Sequence, residues 1–330
     1  MGKIYNEKFR QLREKTGLDQ KDFSRLIRLR MQDVVAIENN EVNLQEEEYL
    51  KLEKQSKYVL PKLLKFDKPN VIAVSVFKGG VGKTSTVVNL GAELAKRGYS
   101  VLLIDADAQQ DLTATILPEF DSEDDFFHAI VNSKSFKEVI CETPYENLEI
   151  VPAVTSVTSL RIEKAISMTM APAETFNLCM EDILADNYYD FIIIDCNNQL
   201  GLLADAIWNG TDYLLTICEP GMYNLKGCGI INEQCKIRKK IKKDFQHLGI
   251  IYNNVDIRKE VAKISINEVD THMPGLRFDT IIKTDENINK AAFAGCPLMY
   301  FSKSSKSLKN YRDLTDEMLD RIQRLTEKEV

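Results

Sequence analysis

Residues 71–113, VIAVSVFKGGVGKTSTVVNLGAELAKRGYSVLLIDADAQQDLT, limit what this chain can fold into more than any other stretch. Residues 71–77 are a short apolar run rich in β-branched side chains, the composition of a buried parallel strand. Lys78-Gly79-Gly80-Val81-Gly82-Lys83-Thr84 follows, then a helical pattern that stops at Lys96-Arg97-Gly98. Gly98 suits a left-handed helix stop, and the two cations suit the negative end of the helix dipole. A second strand over 101–104 ends on Asp105-Ala106-Asp107. Strand, glycine loop, helix and strand in this order predict an α/β fold with a doubly wound, mostly parallel sheet.

The loop chemistry follows from its residue types. Gly79, Gly80 and Gly82 leave room for main-chain N–H groups to surround a phosphate. The helix opening near Lys83 adds the positive end of its dipole. Lys83 can reach the outer phosphates of a nucleotide, and the Thr84 hydroxyl can ligate Mg²⁺. A glycine turn with no ligand is the plainer alternative; strand, loop and helix agree against it. The loop departs from G-x-x-x-x-G-K-[ST] in one respect. Phe77 stands where the first glycine is expected, with a second lysine, Lys78, beside it.

That departure, Lys-Gly-Gly-x-Gly-Lys-Thr, resembles the deviant Walker A motif of the ParA/MinD family of ATPases, and the resemblance runs over about 71–318. It implies ATP and Mg²⁺ as cofactors, with Lys78, Gly79, Gly80, Val81, Gly82, Lys83, Thr84 and Ser85 around the nucleotide. It also implies an ATP-dependent homodimer in which Lys78 reaches the partner's nucleotide. Asp107 becomes the switch I aspartate that places the attacking water, so Lys78, Lys83 and Asp107 form the implied catalytic set. The family's D-P-Q-G-N-A-T appears as Asp107-Ala108-Gln109-Gln110-Asp111-Leu112-Thr113. Asp195 closes a strand over 189–195 in the Walker B manner, and Thr84, Asp107 and Asp195 become the implied metal residues. The two prolines that usually follow are Asn197-Asn198 here.

Further strands are expected at 148–151, 213–217 and 249–252, with a loop-rich stretch over 118–147. Asn253, after the last strand, falls where family members often contact the base. No N-K-x-D guanine motif is present, so ATP is preferred. Asp256-Ile257-Arg258 matches a D-x-R element whose arginine binds DNA without sequence preference in ParA-type proteins. A second family arginine falls on Asn287, with Lys259, Lys263, Lys283 and Lys290 near in sequence. Residues 236–243 carry six cations in eight positions, either a solvated helix end or an electrostatic patch for nucleic acid. A helix over 305–327 carries an apolar stripe diluted by acids, which reads as packing on the domain rather than on a membrane.

The front of the chain differs. Residues 1–68 hold 15 basic against 12 acidic side chains, net +3, so the remainder of a chain of net −7 is −10. A basic front on an acidic body suggests a separate module facing nucleic acid. Apolar residues recur at helical spacings near 5–16, 20–27, 31–39 and 45–57. The run from Leu12-Arg13 through Gly17-Leu18-Asp19-Gln20 to Phe23-Ser24, followed by Ile37-Glu38-Asn39, resembles the helix-turn-helix of phage-repressor-like domains. By that resemblance Gln20 and Gln32 face DNA, with Arg28, Arg30 and Asn39 as further polar contacts. The 31–39 helix has no Lys or Arg, so a small bundle used for dimerisation or docking is the alternative. The division expected is 1–66 for this module and 70–330 for the ATPase domain.

Seven cysteines without a C-x-x-C pair suggest reduced thiols, with neither a disulfide framework nor a zinc or iron–sulfur site. No apolar run approaches a membrane span and no signal-peptide core opens the sequence, so a cytoplasmic protein is expected, associated with the nucleoid if it binds DNA. The activity expected is a weak Mg²⁺-dependent ATPase driving partition of DNA, stimulated by a ParB-like partner. An ATP-switched repressor is the alternative, and a MinD-like membrane positioner a third.

Overall fold

The computed structural model describes residues 2–16, 20, 23–24, 27, 29–57, 64, 66–122, 124–153, 159–197 and 201–327. The chain divides into two compact units, residues 1–65 together with 96–99, and residues 66–95 together with 100–330.

In the first unit, helices Gly2–Thr16, Met31–Glu38 and Glu46–Lys57 are described. Phe9, Phe23, Ile27, Val34, Ile37, Leu44, Tyr49 and Leu52 form one buried cluster, the apolar positions of the helical periodicity. Of the helix expected over 20–27, residues 21, 22, 25 and 26 lie outside the described residues, as do residues 62, 63 and 65. Asn6 ties the first helix to a later loop, its Oδ1 accepting from Leu44 N at 2.8 Å and its Nδ2 donating to Val42 O at 2.7 Å.

The second unit is a seven-stranded sheet in the order β3-β4-β2-β5-β1-β6-β7. Its strands are β1 Asn70–Ser75, β2 Val101–Ala106, β3 Cys141–Glu142, β4 Leu148–Val151, β5 Phe191–Cys196, β6 Tyr213–Cys218 and β7 Gln246–Tyr252. Every pairing is parallel except β3 with β4. β1, β2, β5 and β6 are buried along their whole length, which is why they read as unbroken apolar runs rather than alternating ones. The order places β5 between β1 and β2, so the loops leaving these three strands converge at one end of the sheet. Helix Lys83–Lys96 crosses from β1 to β2, and Gly91 permits its close approach, since a Cβ there would lie 2.8 Å from Leu103.

Several boundaries differ from the sequence expectation. β1 ends at Ser75, and Phe77 is 46% exposed in the loop, because the chain must leave the sheet before the glycines can turn. β2 continues to Ala106, which puts Asp105 inside the strand. The stretch 118–147 is more ordered than expected, with helix Phe126–Asn132, a 3₁₀ turn Phe136–Val139 and β3. Phe126, Phe127 and Phe136 are buried there in one core cluster with Leu102, Ile104 and Phe176. β3 is only two residues long, and beyond β7 the segment 276–282 runs alongside, with Phe278 N donating to Ile250 O at 2.8 Å and Ile282 N to Tyr252 O at 2.9 Å. Helix Ser307–Glu327 buries Leu308, Tyr311, Leu314, Met318 and Ile322, the stripe read from the sequence.

Candidate functional site

The site begins where β1 gives way to the glycine loop. Gly80 and Gly82 take φ of +81° and +80°, the left-handed region that a Cβ disfavours. Gly82 is doubly constrained, because a Cβ there would lie 2.1 Å from Asn253 Nδ2. That amide donates to Val81 O at 2.8 Å, so the end of β7 holds the loop from behind. The Asn253 Oδ1 is buried and has no hydrogen-bond partner among the described residues. Phe77, where the general G-x-x-x-x-G-K-[ST] pattern has its first glycine, packs on Gly227 in helix Met222–Ile241. Lys78, Gly79 and Gly80 are exposed on the outer side of the loop.

Behind the loop the first helical residues meet the ends of β2 and β5. Lys83 Nζ donates to Asp195 Oδ1 at 2.5 Å and to Asp107 Oδ2 at 3.3 Å. Thr84 Oγ1 donates to the other oxygen of Asp195 at 2.7 Å. Burial works against the Lys83 ammonium, but Asp195 and then Asp107 outweigh it and hold its pKa above the ordinary value. Asp195 is wholly buried; burial raises its carboxyl, and Lys83 opposes the rise. Ser85 is half-buried, its carbonyl accepting from Asn89 Nδ2 at 2.7 Å.

Asp105 is a site residue to which the sequence reading assigned no role. It is fully buried, and it stands opposite Asp195 in the β2–β5 register. Its Oδ2 accepts from Thr113 N at 2.8 Å and from Thr113 Oγ1 at 2.7 Å, and its Oδ1 from Asp107 N at 3.2 Å. Burial, then the Asp195 carboxylate, push the Asp105 carboxyl up to about 7 against those hydrogen bonds. The Thr113 hydroxyl in turn accepts from Ala153 N at 2.9 Å. Asp105 therefore braces both ends of the 107–113 turn, which explains why Asp107 and Thr113 belong to one motif. The D-x-D spacing at a strand end was the available signal.

These side chains suit a metal-bound nucleotide. Thr84 and Asp195 bring a hydroxyl and a carboxylate to one point, the hard oxygen donors Mg²⁺ takes alongside water and phosphate. Among the described residues no group of three or more His, Cys, Asp or Glu is arranged around one metal position. Such a cage is not what Mg²⁺ on a nucleotide needs.

Most of the described candidate DNA residues already have local partners. Arg258 is exposed in the loop after β7 and paired to Asp256, with Nε and Nη2 each donating at 2.8 Å. The backbone N–H of Asn287 donates to Asp285 Oδ1 at 2.9 Å, as part of the start of helix Glu286–Phe293. The cations of 236–243 are largely engaged: Arg238 pairs with Asp205 at 2.9 Å, Lys236 with Glu233 at 2.6 Å, and Lys242 donates to Thr211 O at 2.8 Å. In the first unit Gln32 is exposed, but Gln20 Nε2 donates to Glu38 Oε2 at 2.8 Å. Arg13 grips the same carboxylate at 2.6 and 3.1 Å, and Arg30 pairs with Asp33 at 2.8 Å. Arg28 lies outside the described residues, as does Asn198, one of the two asparagines in place of the family's prolines.

Fold and loop together are those of a P-loop NTPase: a mostly parallel sheet with the glycine loop leaving the interior strand β1. A family model described as an AAA domain matches residues 69–247. The chain is 29% identical over 250 residues to the sporulation initiation inhibitor protein Soj of Bacillus subtilis, covering 75% of this chain and 97% of that one. It is 27% identical over 255 residues to the chromosome partitioning protein ParA of Myxococcus xanthus, covering 76% and 88%. The septum site-determining protein MinD of Pyrococcus horikoshii, solved with Mg-ADP, shares the fold at a TM-score of 0.59 and 23% identity, over 76% of this chain and 95% of that one. The chain belongs to the ParA/MinD family of deviant Walker A P-loop ATPases.

Proposed function

We propose that this chain is a ParA-type partition ATPase that binds ATP with Mg²⁺, dimerises on it, binds DNA without sequence preference and releases it on slow hydrolysis. The observation that carries the reading is the pairing of two lysines in different settings. Lys83 is buried between Asp195 and Asp107, while Lys78 stands exposed five residues earlier. A buried lysine serves the chain's own phosphates; an exposed one beside it is placed to serve those of a second copy.

Lys78 to Ser85 would cradle the phosphates, and Thr84, Asp195 and Asp107 would hold the metal, which neutralises developing charge when bound. Asp107 would place the attacking water. The lack of an N-K-x-D motif after β7 supports adenine over guanine, with Asn253 where family members often contact the base. Arg258 would supply the DNA contact with its neighbouring lysines. The ParB-like partner, the cytoplasmic and nucleoid location, and a division into a helix-turn-helix-like module 1–66 and an ATPase domain 70–330 belong to the same proposal. Among the described residues no helix is long and apolar enough to cross a membrane, and the buried stripe of Ser307–Glu327 favours packing over a MinD-like membrane role.

The test is binding of Asp107→Ala to random-sequence duplex DNA at one stated salt concentration. Tight binding with ATP but not with ADP is expected, because binding should survive while turnover stops. Binding indifferent to nucleotide would contradict the partition cycle. Recognition of one sequence in ADP, lost on deleting residues 1–60, would instead favour a repressor acting through the exposed Gln32.

A further inference from the structure

Helix Met222–Ile241 carries glycines at 227 and 229, residues that weaken a helix interior relative to alanine. Their surroundings differ. A Cβ on Gly229 would have nothing within 4 Å, whereas one on Gly227 would lie 2.3 Å from Phe77 Cβ and 2.4 Å from Phe77 Cγ. Carbon atoms in contact sit about 3.5–4.0 Å apart, so the space between Phe77 and the buried Gly227 admits only a hydrogen.

Which atom a methyl at 227 would meet decides what must move. A ring can swing away by rotating about χ1, but a Cβ is fixed by its backbone. Room has to come from the helix or from the backbone at 77. The helix is held along its length. Gly221 N donates to Ser265 Oγ at 3.2 Å at its start, and Cys228, Ile231, Asn232 and Cys235 are buried along it. Past its end, Lys242 Nζ donates to Asn209 O at 3.1 Å and Thr211 O at 2.8 Å. The inner arm of the glycine loop is held too, by Asn253 on Val81 O and by Lys83 on Asp195. The part left to yield is the outer arm, 77–80, which ends at Gly80 with φ of +81°. Lys78 follows Phe77 directly and is exposed, so this arm sets its reach.

We propose that the seat of Phe77 on Gly227 positions Lys78: it fixes the outer arm of the loop, and with it the direction in which Lys78 leaves the molecule. The proposal rests on the reading that Lys78 serves the nucleotide of a second copy. Phe77 and Gly227 are positioning residues. Their loss acts on what Lys78 does and leaves Gly82 to Ser85, the inner part of the chain's own cradle, in place.

The experiment compares the full chain with Gly227→Ala, Lys78→Ala and the double variant, with Gly229→Ala as a control for the same exchange on the same helix. Each is followed by steady-state hydrolysis of Mg-ATP, by light scattering for self-association in Mg-ATP, and by calorimetry for Mg-ADP binding. Gly227→Ala should lower kcat on the order of ten- to a hundredfold while Mg-ADP affinity moves less than about threefold, since the outer arm shifts and the inner cradle does not. Self-association should weaken in step, and Gly229→Ala should match the unsubstituted chain. Adding Gly227→Ala to Lys78→Ala should cost nothing more. A merely structural contact would lower the melting temperature and give losses that multiply in the double variant, which would overturn the proposal. Unchanged kcat and self-association in Gly227→Ala would overturn it as well. Should Gly227→Ala fail to fold, Phe77→Ala removes the seat without crowding. Wild-type turnover in that variant rejects the proposal, and a loss recovered in Phe77→Leu supports it. A wild type that hydrolyses ATP while Lys78→Ala behaves normally overturns the role of Lys78 and the proposal with it. A wild type that neither binds nor hydrolyses ATP overturns the ATPase reading beneath both.

Discussion

Asp105 is wholly buried at the end of β2, where burial first and Asp195 second push its carboxyl up to about 7. Asp256, in the loop after β7, is lowered to about 2, chiefly by the hydrogen bonds from Arg258. The same side chain in one sheet domain is thus driven in opposite directions. At the loop end of the sheet, carboxylates outnumber cations in a dry place, and Lys83 is what makes their proximity tolerable. In the β7 loop the ion pair faces water, and its arginine is 87% exposed on its side chain. Buried, the pair organises a site; exposed, it keeps a cation presented at the surface at little energetic consequence.

The largest break of this contrast should come from Lys83→Ala. It leaves Asp195 and Asp107 without their cation, so unfolding free energy should fall by about 3–5 kcal/mol and ATP binding should vanish in calorimetry. Asp105 allows a sharper test by pH. Its folded pKa of about 7 exceeds the unfolded carboxyl value, so the folded chain holds an extra proton between roughly pH 4 and 7. Stability should therefore fall as pH rises through that window and level off above it, by roughly 2–4 kcal/mol in all. Asp105→Asn should flatten that slope in urea unfolding, and a slope that persists would reject the assignment. Gly82→Ala forces a Cβ into a φ of +80° and against the Asn253 amide, a strain of about 1–3 kcal/mol, so ATP affinity should drop on the order of 10–100-fold. The smallest effect belongs to the exposed pair. Arg258→Ala should leave stability within about 0.5 kcal/mol while weakening DNA binding and lowering its salt slope by about 1.

Much of the sheet was legible from the sequence because its central strands are buried on both faces. Their runs are unbroken, and three of them end at functional loops, so Lys83, Asp107 and Asp195 could be placed at one end of a parallel sheet. What the sequence hid were contacts made across long separations. Asn253 sits 172 residues from the Val81 carbonyl it holds, and Glu163 lies 39 residues from the Leu202 N–H it caps. No spacing rule connects such positions. β3 was missed because two residues carry no periodicity, and the helix Phe126–Asn132 because its neighbours are acidic and loop-like. Gln20 shows the converse: its place in a helix-turn-helix-like run is visible, yet only the structure shows its amide engaged with Glu38.

The margins of the sheet bear on how copies of the chain can meet. One margin is β3, too short to template another strand, and along the other the segment 276–282 already accepts from and donates to β7. An edge this short and one already hydrogen-bonded do not invite strand addition, the route by which concentrated sheet proteins drift into fibres. On the partition reading proposed above, copies that gather on one polymer and then let go would be better served by meeting through switchable loops than by edges that would hold indefinitely.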